Sequence, residues 1–229
     1  MRPQLVEYLK NHNDIVGFCP TETIWVLDYL ENIDLNKKHG IMEIGVHHGQ
    51  FFIALNSLTN VSDRSVAIDV FGRQDLNIDK SGEGNKNIFI DNLSKYDIHQ
   101  GKNVLIIEGD STDPKAFNDV LSEQFRYISV DGGHTIQHVI NDMNIASKFI
   151  CNEGVVILDD YLNHWWPSVT EGMFKYLNTS PTLIPFMSSP NKLWFAKLSY
   201  KQRYYDHMNT ITNNKSNTKL CGHDIINLW

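Results

Sequence analysis

Short apolar runs alternate with segments of helical periodicity along most of the chain. Five of these runs have the length and composition of strands, and they cover residues 40–46, 65–70, 104–108, 127–130 and 154–158. Between them, apolar residues recur at the three- and four-residue spacing of helices. This alternation predicts an α/β fold whose mostly parallel, doubly wound sheet is covered by helices on both faces.

The pattern changes after the fifth run. Two more apolar runs, at residues 183–187 and 193–198, are separated by a turn-rich link of hairpin length. We therefore expect a seven-stranded sheet with a terminal antiparallel strand. Residues 71–96 are polar, contain glycines and are too long for a simple connection, so they predict a lid or a mobile link.

Three regions are expected along the chain. Residues 1–36 carry helical patterns and are predicted to form an N-terminal helical extension, followed by a main domain over residues 37–200. Residues 201–229 are predicted to form a C-terminal helix or tail, loosely ordered over residues 209–224.

Polar groups stand where the strand-like runs end, and the carboxyl ends of parallel strands are where ligands bind in such sheets. The first run carries Glu43 and leads into Gly45 and Gly49, which predicts a strand, a glycine turn and a helix. The second run leads to Asp69, whose carboxylate can accept hydrogen bonds from two ribose hydroxyls. These four residues predict a site for a nucleotide-like cofactor.

The chemistry of the glycine turn narrows the choice of cofactor. The usual dinucleotide fingerprint has a glycine where this chain has His47, so a pyrophosphate is not favoured. Glu43 adds negative charge near the turn, which suits the sulfonium and amino groups of S-adenosylmethionine. After the third strand, Asp110 and Ser111 can meet an adenine amino group, although capping of the following helix explains them equally well.

Three aspartates follow the fourth and fifth strands, which we expect to be neighbours. Asp131, Asp159 and Asp160 would then converge and repel one another unless a cation neutralises them. An all-oxygen set favours a hard divalent ion, Mg²⁺ first, with Ca²⁺ or Mn²⁺ as alternatives. Asp131 is also expected to bind the cofactor. The other interpretation of Asp159 and Asp160 is a helix cap with a solvated neighbour.

A histidine follows the first of these aspartates on the same loop. The neutral form of His134 can take a hydroxyl proton at neutral pH, which makes it the candidate base. Capping of the helix that begins near Thr135 is the structural alternative. An aromatic group after the fifth strand can serve as a platform for a sugar or aromatic ring, or as ordinary core packing. It consists of Tyr161, Trp165 and Trp166.

Composition limits the partners and the compartment. The net charge is -7 at pH 7 and the basic residues are scattered, which argues against nucleic acid as a partner. Three widely spaced cysteines indicate neither a disulfide framework nor a structural zinc site, and so favour a cytoplasmic protein. No run approaches the roughly eighteen apolar residues of a membrane span, so no membrane partner is expected. A homo-oligomer stays an open alternative.

In their order and spacing, these motifs resemble the class I S-adenosylmethionine-dependent methyltransferases, and more narrowly the metal-dependent O-methyltransferases that act on sugars of macrolides and related glycosides. The resemblance covers residues 38–200 and is carried by EIGVHHG, AIDVFG, EGDST, SVDGGHT and GVVILDDY. It implies a Rossmann-like methyltransferase domain with Mg²⁺ at Asp131, Asp159 and Asp160. It also implies a base at His134, because this chain has Gly133 where other branches place an aspartate.

The expected function is therefore Mg-assisted methyl transfer from S-adenosylmethionine to a hydroxyl of a sugar or glycoside, with a small molecule or saccharide as the acceptor. A catechol-like acceptor would suit the same acidic site. A nicotinamide-dependent oxidoreductase is disfavoured by the missing middle glycine. A non-catalytic cofactor-binding protein is the remaining alternative.

Overall fold

The computed structural model describes residues 1–33, 39–120, 124–179, 181–211 and 214–228. The boundary expected between residues 36 and 37 lies outside the described residues. The helices are α1 (Pro3–Asn11), α2 (Thr21–Leu30), α3 (Gln50–Asn56), α4 (Lys86–Tyr96), α5 (Ile136–Phe149), α6 (Pro167–Leu177) and α7 (Leu198–Met208), with 3₁₀ turns at His12–Asp14 and Pro114–Val120. The strands are β1 (Ile41–Ile44), β2 (Ser65–Asp69), β3 (Val104–Glu108), β4 (Phe125–Val130), β5 (Ile150–Asp159), β6 (Leu183–Ser189), β7 (Lys192–Lys197), β8 (Lys215–Leu220) and β9 (His223–Leu228).

The strands of the described residues form one sheet in the order β3-β2-β1-β4-β5-β7-β6-β9-β8. Strands β1 to β5 are parallel, with β1 paired to both β2 and β4. Strand β7 runs antiparallel to its neighbours β5 and β6. The strand order reverses direction between β1 and β4, and the carboxyl ends of these two strands therefore open the crevice in which sheets of this class bind ligands.

The core lies on both faces of this sheet. All four residues of β1 are buried, as expected for a central parallel strand, and they alternate between the two faces. Ile41 joins the apolar cluster that contains residues of α2 and α3, while Met42 joins the cluster that contains residues of α5 and α6. No helix among the described residues is long and apolar enough to cross a membrane.

The α/β class is confirmed, but over the described residues the sheet has nine strands where the sequence pattern predicts seven. The two additional strands, β8 and β9, form an antiparallel hairpin, and β8 lies within residues 209–224, which the sequence predicts to be loosely ordered. Strand β8 is polar and its residues are exposed or half-buried, so it lacks the apolar alternation that identifies a strand. Its turn is made by Cys221 and Gly222, with φ angles of 48° and 82°, the conformation that two-residue hairpin turns require.

Candidate active site

The chain leaves β1 through a turn that requires glycine at two positions. Gly45 has a φ of 83° and Gly49 a φ of 88°, both in the left-handed region that favours glycine. A Cβ atom at position 45 would lie 1.8 Å from the backbone oxygen of Asp131. Gly45 therefore allows the turn after β1 to pack directly against the loop after β4.

The carboxylate of Asp69 holds this turn in place. Its Oδ2 accepts hydrogen bonds from the backbone nitrogens of Val46 and His47, both at 2.7 Å. Its Oδ1 accepts a third, at 2.5 Å, from the backbone nitrogen of Phe71. Asp69 thus fixes the backbone around the expected ribose position, while its contact with a ribose stays a prediction.

Glu43 lies beneath the turn and is only 1% exposed. Burial raises the pKa of its carboxyl to about 8, against the lowering effects of Ser129 and Lys192. At pH 7 the side chain is therefore mostly neutral, which corrects the negative charge that the sequence suggests for the turn. The sequence does not show this, because it contains no measure of how completely β1 is buried. Contact between Glu43 and a cofactor stays a prediction.

A cavity of about 490 Å³ opens at the carboxyl ends of β1 to β4. The predicted cofactor residues that line it are Gly45, Asp69, Asp110, Ser111 and Asp131. Residues 16–18 and several residues of the range 74–84 also line it, so the long segment after β2 contributes to the wall of the cavity. The carboxylate of Asp110 also accepts a hydrogen bond from the backbone nitrogen of Thr112 at 2.7 Å. Asp110 therefore stabilises the turn after β3 and also lines the cavity.

His134 lies at the edge of this cavity, between two carboxylates. Its Nδ1 is 3.0 Å from Oδ2 of Asp79, and its Nε2 is 2.8 Å from Oδ2 of Asp160. The backbone nitrogen of His134 also donates to Asp79. The imidazole stacks on the indole of Trp166, with 4.2 Å between ring centroids. The next residue, Thr135, caps α5, so the alternative of His134 as the helix cap does not apply.

These neighbours stabilise the protonated form of His134. Burial lowers the pKa of the imidazole, but the hydrogen bond to Asp160 and the charges of Asp160 and Asp79 outweigh it, and the pKa lies above the ordinary 6.5. The pKa of Asp79 is lowered to about 2, because hydrogen bonds from Ser81 and His134 outweigh the effect of burial. A base at this position therefore becomes available as the pH rises.

The three aspartates of the predicted metal site lie at the carboxyl ends of β4 and β5, and one of them already has a cationic partner. Oδ2 of Asp159 accepts a 2.5 Å hydrogen bond from Nζ of Lys192. Oδ1 of Asp159 accepts hydrogen bonds from Nδ2 of Asn191 at 2.8 Å and from the backbone nitrogen of Asp160 at 2.9 Å. Both oxygens of Asp159 are thus engaged by the protein itself.

This arrangement does not fit the all-oxygen magnesium site expected from the sequence, because a divalent ion at Asp159 would lie beside the ammonium of Lys192 that already neutralises this carboxylate. Asp160 is engaged as well, since it contacts His134 through one oxygen and accepts from Asn163 and Asn191 through the other. Asp131, His134 and Asp160 do present possible ligand atoms within 4.8 Å of one another. In that set, however, the contact between His134 and Asp160 is already a hydrogen bond.

The predicted aromatic group is divided between two environments. Trp166 stacks on His134 and also packs against the apolar cluster beside α5 and α6, as does Tyr161. Trp165 is 74% exposed. A contact between these three side chains and an acceptor stays a prediction.

Two residues of this site were not identified from the sequence. Asp79 lies in the long segment between β2 and α4, 55 positions from His134, and a polar loop gives no signal of its partner. Lys192 was assigned to a hairpin link, whereas the register places it directly opposite Asp159. Antiparallel pairing alone does not give this position, because the register between β5 and β7 decides which residue lies opposite Asp159.

The sequence of this chain is similar to a known protein family and to an individual protein. A family model described as "Methyltransferase domain" matches residues 42–161. An uncharacterised protein of Acanthamoeba polyphaga mimivirus is 36% identical over 77 residues, which is 33% of this chain and 34% of that protein. The match thus spans about a third of that relative's length.

Solved structures with similar folds cover most of the chain. The TDP-rhamnose 3'-O-methyltransferase of calicheamicin biosynthesis is 16% identical with a TM-score of 0.54, over 86% of this chain and 95% of that one. An O-methyltransferase from Bacillus cereus in complex with S-adenosylhomocysteine is 16% identical with a TM-score of 0.55, over 86% and 92%. A methyltransferase of Podospora anserina, also bound to S-adenosylhomocysteine, is 15% identical with a TM-score of 0.58, over 86% and 88%. At these identities the likeness establishes the fold.

Proposed function

Since the chain belongs to the family of methyltransferase domains, we propose that it transfers a methyl group from S-adenosylmethionine to a hydroxyl oxygen of a small-molecule acceptor. The observation that carries the proposal is the convergence on one cavity of the Gly45 turn, the Asp69 carboxylate and the Asp131–His134 loop. S-adenosylmethionine held by the Gly45 turn and by Asp69 would present its methyl group to the loop that carries His134, the candidate base.

The reaction is an in-line displacement at the methyl carbon. S-adenosylmethionine supplies an electrophilic methyl group on a sulfonium. The acceptor hydroxyl takes the place of Asp160 at Nε2 of neutral His134, gives its proton to this nitrogen and forms the new oxygen–carbon bond as the carbon–sulfur bond breaks. The products are a methyl ether, S-adenosylhomocysteine and a protonated His134. Asp79 holds the imidazole through Nδ1 and stabilises the imidazolium that forms.

We propose a sugar-type hydroxyl as the acceptor group. Asp79 and Asp160 contact the imidazole of His134, and an oxygen of Asp131 lies within 4.8 Å of it, so several polar groups suit an acceptor with neighbouring hydroxyls. One structural neighbour acts on a nucleotide-linked sugar, TDP-rhamnose. A catechol-like acceptor is the second candidate, favoured by the indole of Trp166 beside the base.

Two measurements test this function. Calorimetry with S-adenosylhomocysteine and with NAD should show binding of the first alone. Mass spectrometry of reactions with glycosides and with catechols should then find a mass gain of one methyl group in the glycoside set. Tight NAD binding without S-adenosylhomocysteine binding would place the chain among oxidoreductases and overturn the proposal.

The Asp69→Asn variant should bind S-adenosylhomocysteine about tenfold more weakly or worse, because one carboxylate oxygen that accepts backbone hydrogen bonds becomes an amide donor. Calorimetry measures the change. The matched control is Asp75→Asn, since Asp75 is an exposed residue on the following loop whose partner is the exposed Arg73. Equal affinities for the two variants would show that Asp69 does not organise the cofactor turn.

The rate of methyl transfer should rise with pH through a pKa above 6.5, because His134 must be neutral to accept the proton and its surroundings raise its pKa. The Asp79→Asn variant removes one of the two neighbouring charges. Its rate should therefore rise at a lower pH than that of the wild type. Profiles of turnover against pH for the two proteins measure the shift. An unchanged profile in Asp79→Asn would show that Asp79 does not raise the pKa of His134.

A further inference from the structure

Lys192 is a fully buried cation within an acidic site. It begins β7 and lies opposite Asp159, the last residue of β5, in the antiparallel register. Its side chain is 0% exposed, and its Nζ is 2.5 Å from Oδ2 of Asp159. On another side the ammonium lies 4.4 Å from the ring centroid of Phe51, close enough for a cation–π contact.

The charges around Lys192 explain why a lysine is tolerated at this depth. Burial lowers the pKa of the ammonium, but the negative charges of Asp159 and Asp131 outweigh it and the pKa is raised, so the group stays charged. Burial and the charge of Asp159 raise the pKa of Asp131 well above its ordinary value, and the positive charge of Lys192 acts in the opposite direction. Lys192 therefore interacts with two of the three aspartates. The third, Asp160, has His134 as its partner.

We infer that the ammonium of Lys192 is the resident cation of the Asp131–Asp159–Asp160 site and holds there the role that a divalent metal has in a three-carboxylate centre. A divalent ion among these aspartates would face the fixed positive charge at short range and would have to take Asp159 from Lys192. The wild-type site is consequently closed to divalent ions. Lys192 is a positioning residue, since it lies below the site and acts through the two aspartates.

Removal of the ammonium should open the site to a metal. In the Lys192→Met variant the stem remains but Asp159 and Asp131 lose their common cation, which leaves carboxylate oxygens for a hard ion. In the double variant Lys192→Met/Asp159→Asn one negative charge is removed together with the positive one. The double variant is therefore the matched control, because it restores the charge balance without restoring the lysine.

Manganese binding to the full-length proteins tests the inference without methyl transfer. Electron paramagnetic resonance of free Mn²⁺ should show no binding to the wild type below about 1 mM, at least about tenfold tighter binding to Lys192→Met, and loss of that gain in the double variant. Stoichiometric submillimolar binding to the wild type that disappears in Asp131→Asn would overturn the inference. Equal affinities for the wild type and a folded Lys192→Met would also overturn it.

Thermal melting covers the case in which Lys192→Met folds poorly. An ion that binds only the folded state raises its melting temperature, so about 5 mM Mn²⁺ should stabilise Lys192→Met and leave the wild type unchanged. Failure of Mn²⁺ to stabilise this variant would count against the inference. A further consequence rests on the proposed function: methyl transfer by the wild type should survive a chelator. Absence of any methyl transfer would refute the proposed function and leave the binding and melting results to decide the role of Lys192.

Discussion

Replacement of His134 by alanine is expected to reduce turnover by about 10²-fold or more while it leaves the affinity for S-adenosylhomocysteine nearly unchanged. The loss follows from the place of the imidazole at the edge of the cavity, where it is the candidate acceptor for the hydroxyl proton. Cofactor affinity should persist, because the Gly45 turn and Asp69 are organised by bonds that do not involve the imidazole. Steady-state kinetics and calorimetry measure the two quantities separately.

Two further variants distinguish a base from a structural residue. His134→Gln keeps a hydrogen-bonding side chain between the carboxylates but cannot accept the proton, so it should lose as much turnover as the alanine variant. His164→Ala is the control, since His164 is an exposed histidine of the same region. Full activity in His134→Ala would exclude the residue from the mechanism. Recovery in His134→Gln would assign it a positioning role instead.

Replacement of Gly45 by alanine is expected to lower the free energy of unfolding by about 3 kcal/mol or more and to abolish cofactor binding. Position 45 adopts a left-handed backbone conformation, and the new Cβ would lie 1.8 Å from the backbone oxygen of Asp131. Relief of that overlap requires the turn after β1 to separate from the loop after β4. For a chain of this size the loss corresponds to a fall of about 10 °C in melting temperature.

The matched control for this variant is Gly72→Ala. Gly72 is exposed, and a Cβ atom there would meet nothing within 4 Å. Its melting temperature and its affinity for S-adenosylhomocysteine should remain close to those of the wild type. A Gly45→Ala protein that melts at the same temperature as Gly72→Ala and still binds the cofactor would show that the two loops can separate without loss of stability.

The sequence could predict the centre of the fold because its strands are buried on both faces. A buried parallel strand is a run of apolar residues, and the acids at its carboxyl end interrupt the run clearly. Asp69 ends β2 and Asp131 follows β4, and the parallel order of β1 to β5 places these strand ends along one edge of the sheet. The hairpin of β8 and β9 was missed because most of its residues are polar.

The partners of the acidic residues could not be predicted, because they depend on contacts between distant parts of the chain. The sequence predicts an external cation beside Asp159, because three converging carboxylates repel one another. The structure shows that the chain provides one through Lys192, whose position depends on the register between β5 and β7. In the same way, the partner of Nδ1 of His134 is Asp79, which lies in a segment whose sequence suggests only a loop.

The β8–β9 hairpin has a consequence for self-association. Strand β6 would otherwise end the sheet with a largely buried, apolar strand, and an unpaired strand of that kind recruits other chains. Strand β9 pairs with β6, and β8 then forms the outer edge of the sheet with mostly polar residues that are exposed or half-buried. A polar edge strand is a poorer template for strand addition than an apolar one, so the hairpin disfavours edge-to-edge association of two copies.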